Sequence, residues 1–380
     1  MKLDNNQQAF LALLRAGLWE QDIQLSQYEL IDFSKVYLLA KEQTVVGLIA
    51  AGLEHVIDIK IPQDVALSFA GDALQQERQN MAMNAFVSEQ TERMRNLNID
   101  AILVKGQGIA QCYERPLWRT SGDVDFFLTH DNYNRAKSYF DSICLRSEKE
   151  VLREKHLSYN IGEWVVELHG TLRTTLLKKL DNVIDEVQKD VFCNEGVRSW
   201  MNGNSQVFLP SPDNDVIIVF SHFLKHFFNG GIGLRQLCDC CRLIWTFRET
   251  IDKDLLMHRL SASRTESEWR AFAALAVNYL GMPEEVMPLY SLKKRWERKG
   301  KRILSFIIKT GNFGYNRDKS FLISPSFIER NLKRFWYITK DTSVRFFIFP
   351  LDSLRVWDNL MRQGLSGIIR NRGKDDTESI

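Results

Sequence analysis

No stretch of this 380-residue chain is apolar for long enough to span a bilayer. The opening residues, MKLDNNQQAFLALLRAGLWEQD, place polar side chains before the apolar part and acids soon after it. No small-residue cleavage site follows, so a secretory signal is not expected. Cysteine is scarce: six residues, scattered except for Cys238, Cys240 and Cys241, with no second cluster to pair with these three. That excludes a disulfide framework, argues against a zinc site there, and makes the reducing cytoplasm the expected compartment. A formal net charge of +2 shows no excess of one sign that would single out nucleic acid. Zinc-finger, RRM and helix-turn-helix signatures are also missing, so nucleic acid is not an expected partner. There is no internal repeat and no low-complexity linker. What remains, 44% hydrophobic and 26% charged residues, is ordinary for a soluble globular protein with room for two or three domains.

The informative stretch runs from Asp100 to Asp125. Ala101-Ile102-Leu103-Val104 is short and β-rich, as a buried strand should be. Lys105-Gly106-Gln107-Gly108 breaks it, and Ile109 to Tyr113 reads as the first turns of a helix. After a loop holding Pro116 and Arg119 comes Gly122-Asp123-Val124-Asp125-Phe126-Phe127-Leu128, a second strand. Side chains on a strand alternate, so Asp123 and Asp125 share one face and Val124 and Phe126 the other. Two close carboxylates repel unless a cation sits between them, and Mg²⁺ is the natural choice for an all-oxygen site. Further on, 156–161 and 164–169 alternate on either side of Gly162-Glu163, a hairpin. On its second strand Glu167 and His169 share a face, which makes Glu167 a candidate third carboxylate or, failing that, a solvated hairpin residue.

The order strand, glycine turn, helix, then G-D-x-D on the next strand resembles the nucleotidyltransferase superfamily that includes DNA polymerase β. The fuller pattern L-V-K-G-x-G-x-A, R, G-D-V-D and V-E-L-H is similar to the bacterial family of uncharacterised nucleotidyltransferases. The match covers roughly residues 95–170, with a weaker echo from Gly233 to Asp239. The resemblance implies an α+β fold: a nucleotidyltransferase-type mixed sheet with flanking helices, between mainly helical N- and C-terminal regions. It implies an enzyme that moves a nucleotidyl group from an NTP, with ATP the first candidate, to a hydroxyl or phosphate of an unidentified acceptor, either a sugar-related small molecule or a protein side chain. Asp123, Asp125 and Glu167 would be catalytic and hold Mg²⁺ or Mn²⁺. Lys105, Gly106, Gln107, Gly108, Arg119, Gly122, Arg235 and Asp239 would bind the nucleotide. Much of the superfamily has Gly-Ser at the turn, whereas here Gln107 follows Gly106. The alternative is a non-catalytic nucleotide-binding or interaction protein that retains the fold; the direction of the Glu167 side chain separates the two.

Four regions are expected: 1–94 helical, 95–210 the nucleotidyltransferase core, 211–285 a helical domain beside the site, and 286–380 basic and mainly helical. Pro62 and Asp64 open a long helix, which with the preceding helices shows no chemistry of its own. Asp131 is the expected N-cap of a helix over 133–140, residues 143–146 a third strand, 171–187 a basic helix, and 205–210 a short strand. His222 and His226 lie four apart on one helix face, a spacing that can hold zinc but is read here as structural, because H-E-x-x-H is absent. Arg235 and Asp239 are spaced as an i,i+4 ion pair. The tail Asp375-Asp376-Thr377-Glu378 is expected to be disordered.

Overall fold

The computed structural model describes residues 3–148, 150–151, 155–193, 196–316 and 327–375. The acidic tail from residue 376 onward lies outside them. Four helices come first: α1 (Asn5–Trp19), α2 (Phe33–Glu42), α3 (Val46–Glu54) and α4 (Gln63–Asn96). The core follows as β1 (Ala101–Val104), α5 (Gly106–Ala110), β2 (Asp123–Leu128), α6 (His130–Ile143), β3 (Arg146–Ser147), β4 (His156–Ile161) and β5 (Trp164–His169). After α7 (Lys178–Cys193) comes a two-stranded antiparallel ribbon, β6 (Val197–Asn202) and β7 (Ser205–Pro210). The remaining helices are α8 (Pro212–Asn229), α9 (Leu234–Thr246), α10 (Lys253–Ser263), α11 (Glu266–Leu280), α12 (Lys294–Thr310), α13 (Phe327–Phe346) and α14 (Pro350–Asp375). The fold is α+β, as expected.

The five-stranded sheet runs β1-β2-β5-β4-β3 and is mixed. β2 lies antiparallel to β1 and parallel to β5, and β4 pairs antiparallel with both β5 and β3. The parallel register sets Asp125 opposite Glu167 and Asp123 opposite Val165. Because strands alternate, Val124, Phe126, Leu128, Val166 and Leu168 all enter the opposite face. There they are buried with Leu103 from β1, Phe140 from α6, and Met83 and Val87 from α4. The apolar half of each strand thereby anchors the sheet and leaves its polar half facing α8. Helices α1–α3 do not form a separate core: Phe10, Leu14 and Ile49 share one hydrophobic cluster with Phe220, Leu237 and Trp269 of α8, α9 and α11.

Several local expectations are corrected. The third strand is only Arg146–Ser147, because α6 continues through Ile143. Thr129 occupies the N-cap of α6, and Asp131 lies in its first turn. The helix expected over 171–187 starts at Lys178 instead. The Asp181 carboxylate accepts from the amides of Thr174 (2.7 Å) and Thr175 (3.2 Å), holding that loop off the helical path. Strand β6 and helix α10 were not anticipated. Gly203, at φ +61°, makes the turn that folds β6 onto β7, and Asp252 caps α10 by accepting from Asp254 and Leu255 at 2.9 Å each.

Candidate functional site

The site begins where β1 ends. Lys105 adopts φ 60°, ψ −142°, a conformation near the region that only glycine occupies freely, so a side-chain-bearing residue there is strained. The turn carries the Lys105 side chain back over β2. Its Nζ donates to Asp125 Oδ1 at 2.7 Å; the carboxylate is buried and the lysine side chain partly so. His169 Nε2 approaches the same oxygen at 2.7 Å. The same nitrogen lies 3.5 Å from Glu167 Oε2, which is 3.0 Å from His156 Nε2. The carboxylate oxygens of Asp123, Asp125 and Glu167 fall within 4.8 Å of one another. Glu167 therefore turns toward the aspartates, not away from them.

Protonation follows from this crowding. The neighbouring Asp125 charge, followed by burial, raises the Asp123 pKa above the ordinary carboxylate value. Burial alone would raise Glu167 too, but hydrogen bonds from His156 and His169 bring it below the usual range. Burial opposes the charged form of Lys105 and of His169. For Lys105 the charges of Asp125, Asp123 and Glu167 outweigh it, and for His169 the bonds to Asp125 and Glu167 do, so both are raised. Lys105 thus offsets part of the charge of the three carboxylates, and His169 shares Asp125 with it.

Between this sheet face and helices α8 and α9 lies a cleft of about 480 Å³, lined among others by Gly106, Arg119, Gly122, Asp123, Arg235 and Phe313. Glu167 separates it from a second hollow of about 230 Å³, bordered by His156, Thr171, Arg173, His222 and Lys225. The glycine turn divides its residues. Gly106 faces the large cleft, but the Gln107 side chain is buried and donates to Asn80 Oδ1 at 3.1 Å. Gly108 packs where a Cβ would come within 2.7 Å of Leu209 Cδ2. Neither Gln107 nor Gly108 lines the cleft.

Arg119 is buried and makes a bidentate pair with Asp239, 2.7 Å for each nitrogen–oxygen contact, and Tyr113 Oη donates to the same carboxylate at 2.7 Å. Asp239 holds Arg119 charged despite the cost of burial. The expected Arg235–Asp239 pair is not formed among the described residues. Asp239 is taken by Arg119, and Arg235 Nη1 donates to the carbonyl of Thr120 at 2.7 Å. Arg235 Nε is buried without a partner, and burial, aided by the Arg119 charge, lowers the Arg235 pKa. Arg235 thus lines the cleft with a guanidinium whose buried Nε has no partner.

Three contributors were not foreseen. Asn80 of α4, read as part of a region without chemistry, donates to the carbonyls of Leu117 (2.7 Å) and Arg119 (2.9 Å) and accepts from Gln107 and Ser121. Gln76, one helical turn earlier, bonds Thr120 and the carbonyl of Trp118. Together they fasten the loop that carries Arg119. Phe313, at φ 48° and 46% exposed, stands at the cleft mouth with its ring centroid 4.8 Å from that of His226. His222 and His226 line the cleft, and burial first, then the nearby Lys105 charge, lowers both; His226 falls to about 4.

A family model described as an uncharacterised nucleotidyltransferase matches residues 29–281. The chain belongs to this family. No curated protein and no solved structure matches it. The family match extends well beyond the 95–170 stretch and takes in α8 to α11, so Arg235 and Asp239 are inside it, whereas α12 to α14 and Phe313 are outside. No helix among the described residues of this nucleotidyltransferase family member is long and apolar enough to cross a membrane.

Proposed function

We propose that the protein transfers a nucleotidyl group from an NTP to a hydroxyl or phosphate of an acceptor, using Mg²⁺ held by Asp123, Asp125 and Glu167. The observation that carries this reading is the Asp125–Glu167 register, with Asp123 beside it, in a family of nucleotidyltransferases. Three convergent carboxylates with hard oxygen donors fit Mg²⁺, and Mn²⁺ is the alternative. Lys105 Nζ and His169 Nε2 stand where a cation would neutralise Asp125. When bound, the metal would lower the pKa of an acceptor hydroxyl and neutralise charge developing on the leaving pyrophosphate. The inward-turned Glu167 disfavours the non-catalytic alternative.

In the transfer, the acceptor oxygen forms a bond to the α-phosphorus, the bond to the bridging β-oxygen breaks, and pyrophosphate leaves; a hydroxyl acceptor releases its proton to solvent. The residues of the chain mainly position and neutralise. Arg235, with its unpartnered donor, is suited to triphosphate oxygens, and Gly106 lets the backbone approach them closely. Arg119, already matched by Asp239, serves to hold the loop between β1 and β2 in place. Gly122 lines the same cleft, while Gln107 and Gly108 act from behind it by fixing the turn. Glu167, kept ionised by two histidines, is better suited to hold a metal than to take a proton.

The test is thermal shift with ATP, GTP, CTP and UTP, each with and without Mg²⁺, followed by pyrophosphate release with the nucleotide that binds. Ligand binding to the folded state raises apparent stability by mass action. A shift that needs one NTP and Mg²⁺ together, lost in the folded Asp123→Asn/Asp125→Asn variant, is expected. Unchanged turnover in that variant would remove this site from consideration.

A further inference from the structure

A second group of donors adjoins the three carboxylates and has a different chemistry. His156 and His169 are directly opposed across the β4–β5 pair, and Glu167 stands two residues before His169, so all three side chains emerge on one sheet face. Each offers one donor atom, and these atoms lie within 4.8 Å of one another. Glu167 Oε2 is 3.0 Å from His156 Nε2 and 3.5 Å from His169 Nε2, and the two imidazole centroids are 4.9 Å apart. For zinc–donor distances of about 2.0–2.2 Å, the donors of a tetrahedral site stand roughly 3.3–3.6 Å apart. Of the two Glu167 separations, 3.5 Å falls within that spacing and 3.0 Å just short of it, with Nε2 the converging atom of both rings.

We propose that His156, His169 and Glu167 form a second metal site, selective for borderline ions such as Zn²⁺ or Co²⁺, next to the all-oxygen site. Imidazole nitrogen favours these ions over Mg²⁺, which prefers oxygen and retains water. The site opens onto the 230 Å³ hollow, which His156, Glu167 and His169 line together. A fourth coordination position therefore faces a space able to admit water or a small oxygen ligand. Glu167 is common to both groups and would bridge them. The proposal rests on the placement of these three side chains and does not depend on nucleotide transfer.

The test uses the full chain without nucleotide. Zn²⁺ is titrated calorimetrically and Co²⁺ by its visible absorption, in wild type, His156→Ala and Asp123→Asn. His156→Gln is the alternative if the alanine variant does not fold by circular dichroism. Loss of an outer partner of a metal ligand already costs 10–100-fold, so removing a ligand should weaken Zn²⁺ binding at least about tenfold. Asp123→Asn should leave it within about twofold, because Asp123 belongs only to the other group. Co²⁺ bound to wild type should show no thiolate charge-transfer band, which excludes the cysteines as ligands. Absence of Zn²⁺ binding by wild type, equal affinity in the folded His156 variants, loss in Asp123→Asn, or a thiolate band would each overturn the site.

Discussion

Replacing Asp239 by asparagine tests the buried charge pair that holds the loop between β1 and β2. Arg119 and Asp239 are 5% and 8% exposed, and the carboxylate accepts two guanidinium bonds and the Tyr113 hydroxyl. Asparagine keeps the shape and one acceptor but removes the charge, leaving the guanidinium buried and uncompensated. Breaking a buried pair from one side costs about 3–5 kcal/mol, and the retained acceptor places this variant near the lower end. Urea unfolding followed by tryptophan fluorescence and by circular dichroism should show a lower midpoint at unchanged slope. The triple variant Tyr113→Phe/Arg119→Met/Asp239→Leu removes both charges and the hydroxyl that Asp239 accepts from, and should lie within about 1 kcal/mol of wild type, or above it. A loss below about 1 kcal/mol in Asp239→Asn, the size typical of a surface pair, would mean that solvent reaches Arg119 and that the pair does not hold the loop.

Other residues give independent checks. His226 is shifted down to about 4 from an ordinary 6.5, so the unfolded chain binds more protons between those values and stability falls as pH drops through them. Between pH 7 and pH 5 this amounts to about 2 kcal/mol, read from urea midpoints, and His226→Gln should reduce the slope by that share, leaving the part contributed by the likewise lowered His222. Asn80→Ala strands the buried carbonyl of Arg119 and the half-buried one of Leu117, costing about 1–3 kcal/mol in the same unfolding assay while adding no new contact in the cleft. Phe313→Ala should leave thermal stability unchanged without ligand but weaken NTP binding by about 1–3 kcal/mol if its ring stacks on the base; an unchanged Kd would assign the ring to packing on His226.

The sequence made the carboxylates legible because alternation is a local rule. Once β2 and β5 are strands, Asp123 and Asp125 must share a face, as must Glu167 and His169. That the two faces coincide is set by the parallel pairing, which no local pattern contains. The partners of these residues were hidden for the same reason. Arg119 and Asp239 are 120 residues apart, and the i,i+4 spacing of Arg235 with Asp239 pointed to a pair that tertiary structure replaced. Asn80 escaped notice because a helix rich in Gln, Asn and Glu reads as solvated, and only the loop lying across it reveals a buried amide. Strand β6, Val-Arg-Ser-Trp-Met-Asn, has too few buried side chains for a clear period of two. The turn was legible as a turn, but the inward direction of Gln107 depended on Asn80 waiting behind it.

Helix α4 has a consequence for how this protein tolerates insertion and deletion. Its 34 residues carry Gln76 and Asn80, which grip the 115–121 loop, and then Met83, Val87 and Met94, which pack under the sheet. The two sets keep their relative angle only while the residue count between them is fixed. One residue inserted between Asn80 and Met83 would turn the first set about 100° against the second, since a helix has about 3.6 residues per turn. A change of length there would rotate the loop holding Arg119 away from its partners without altering any residue of the cleft. Length variation should therefore be accepted in the loops before and after α4 and rejected within it.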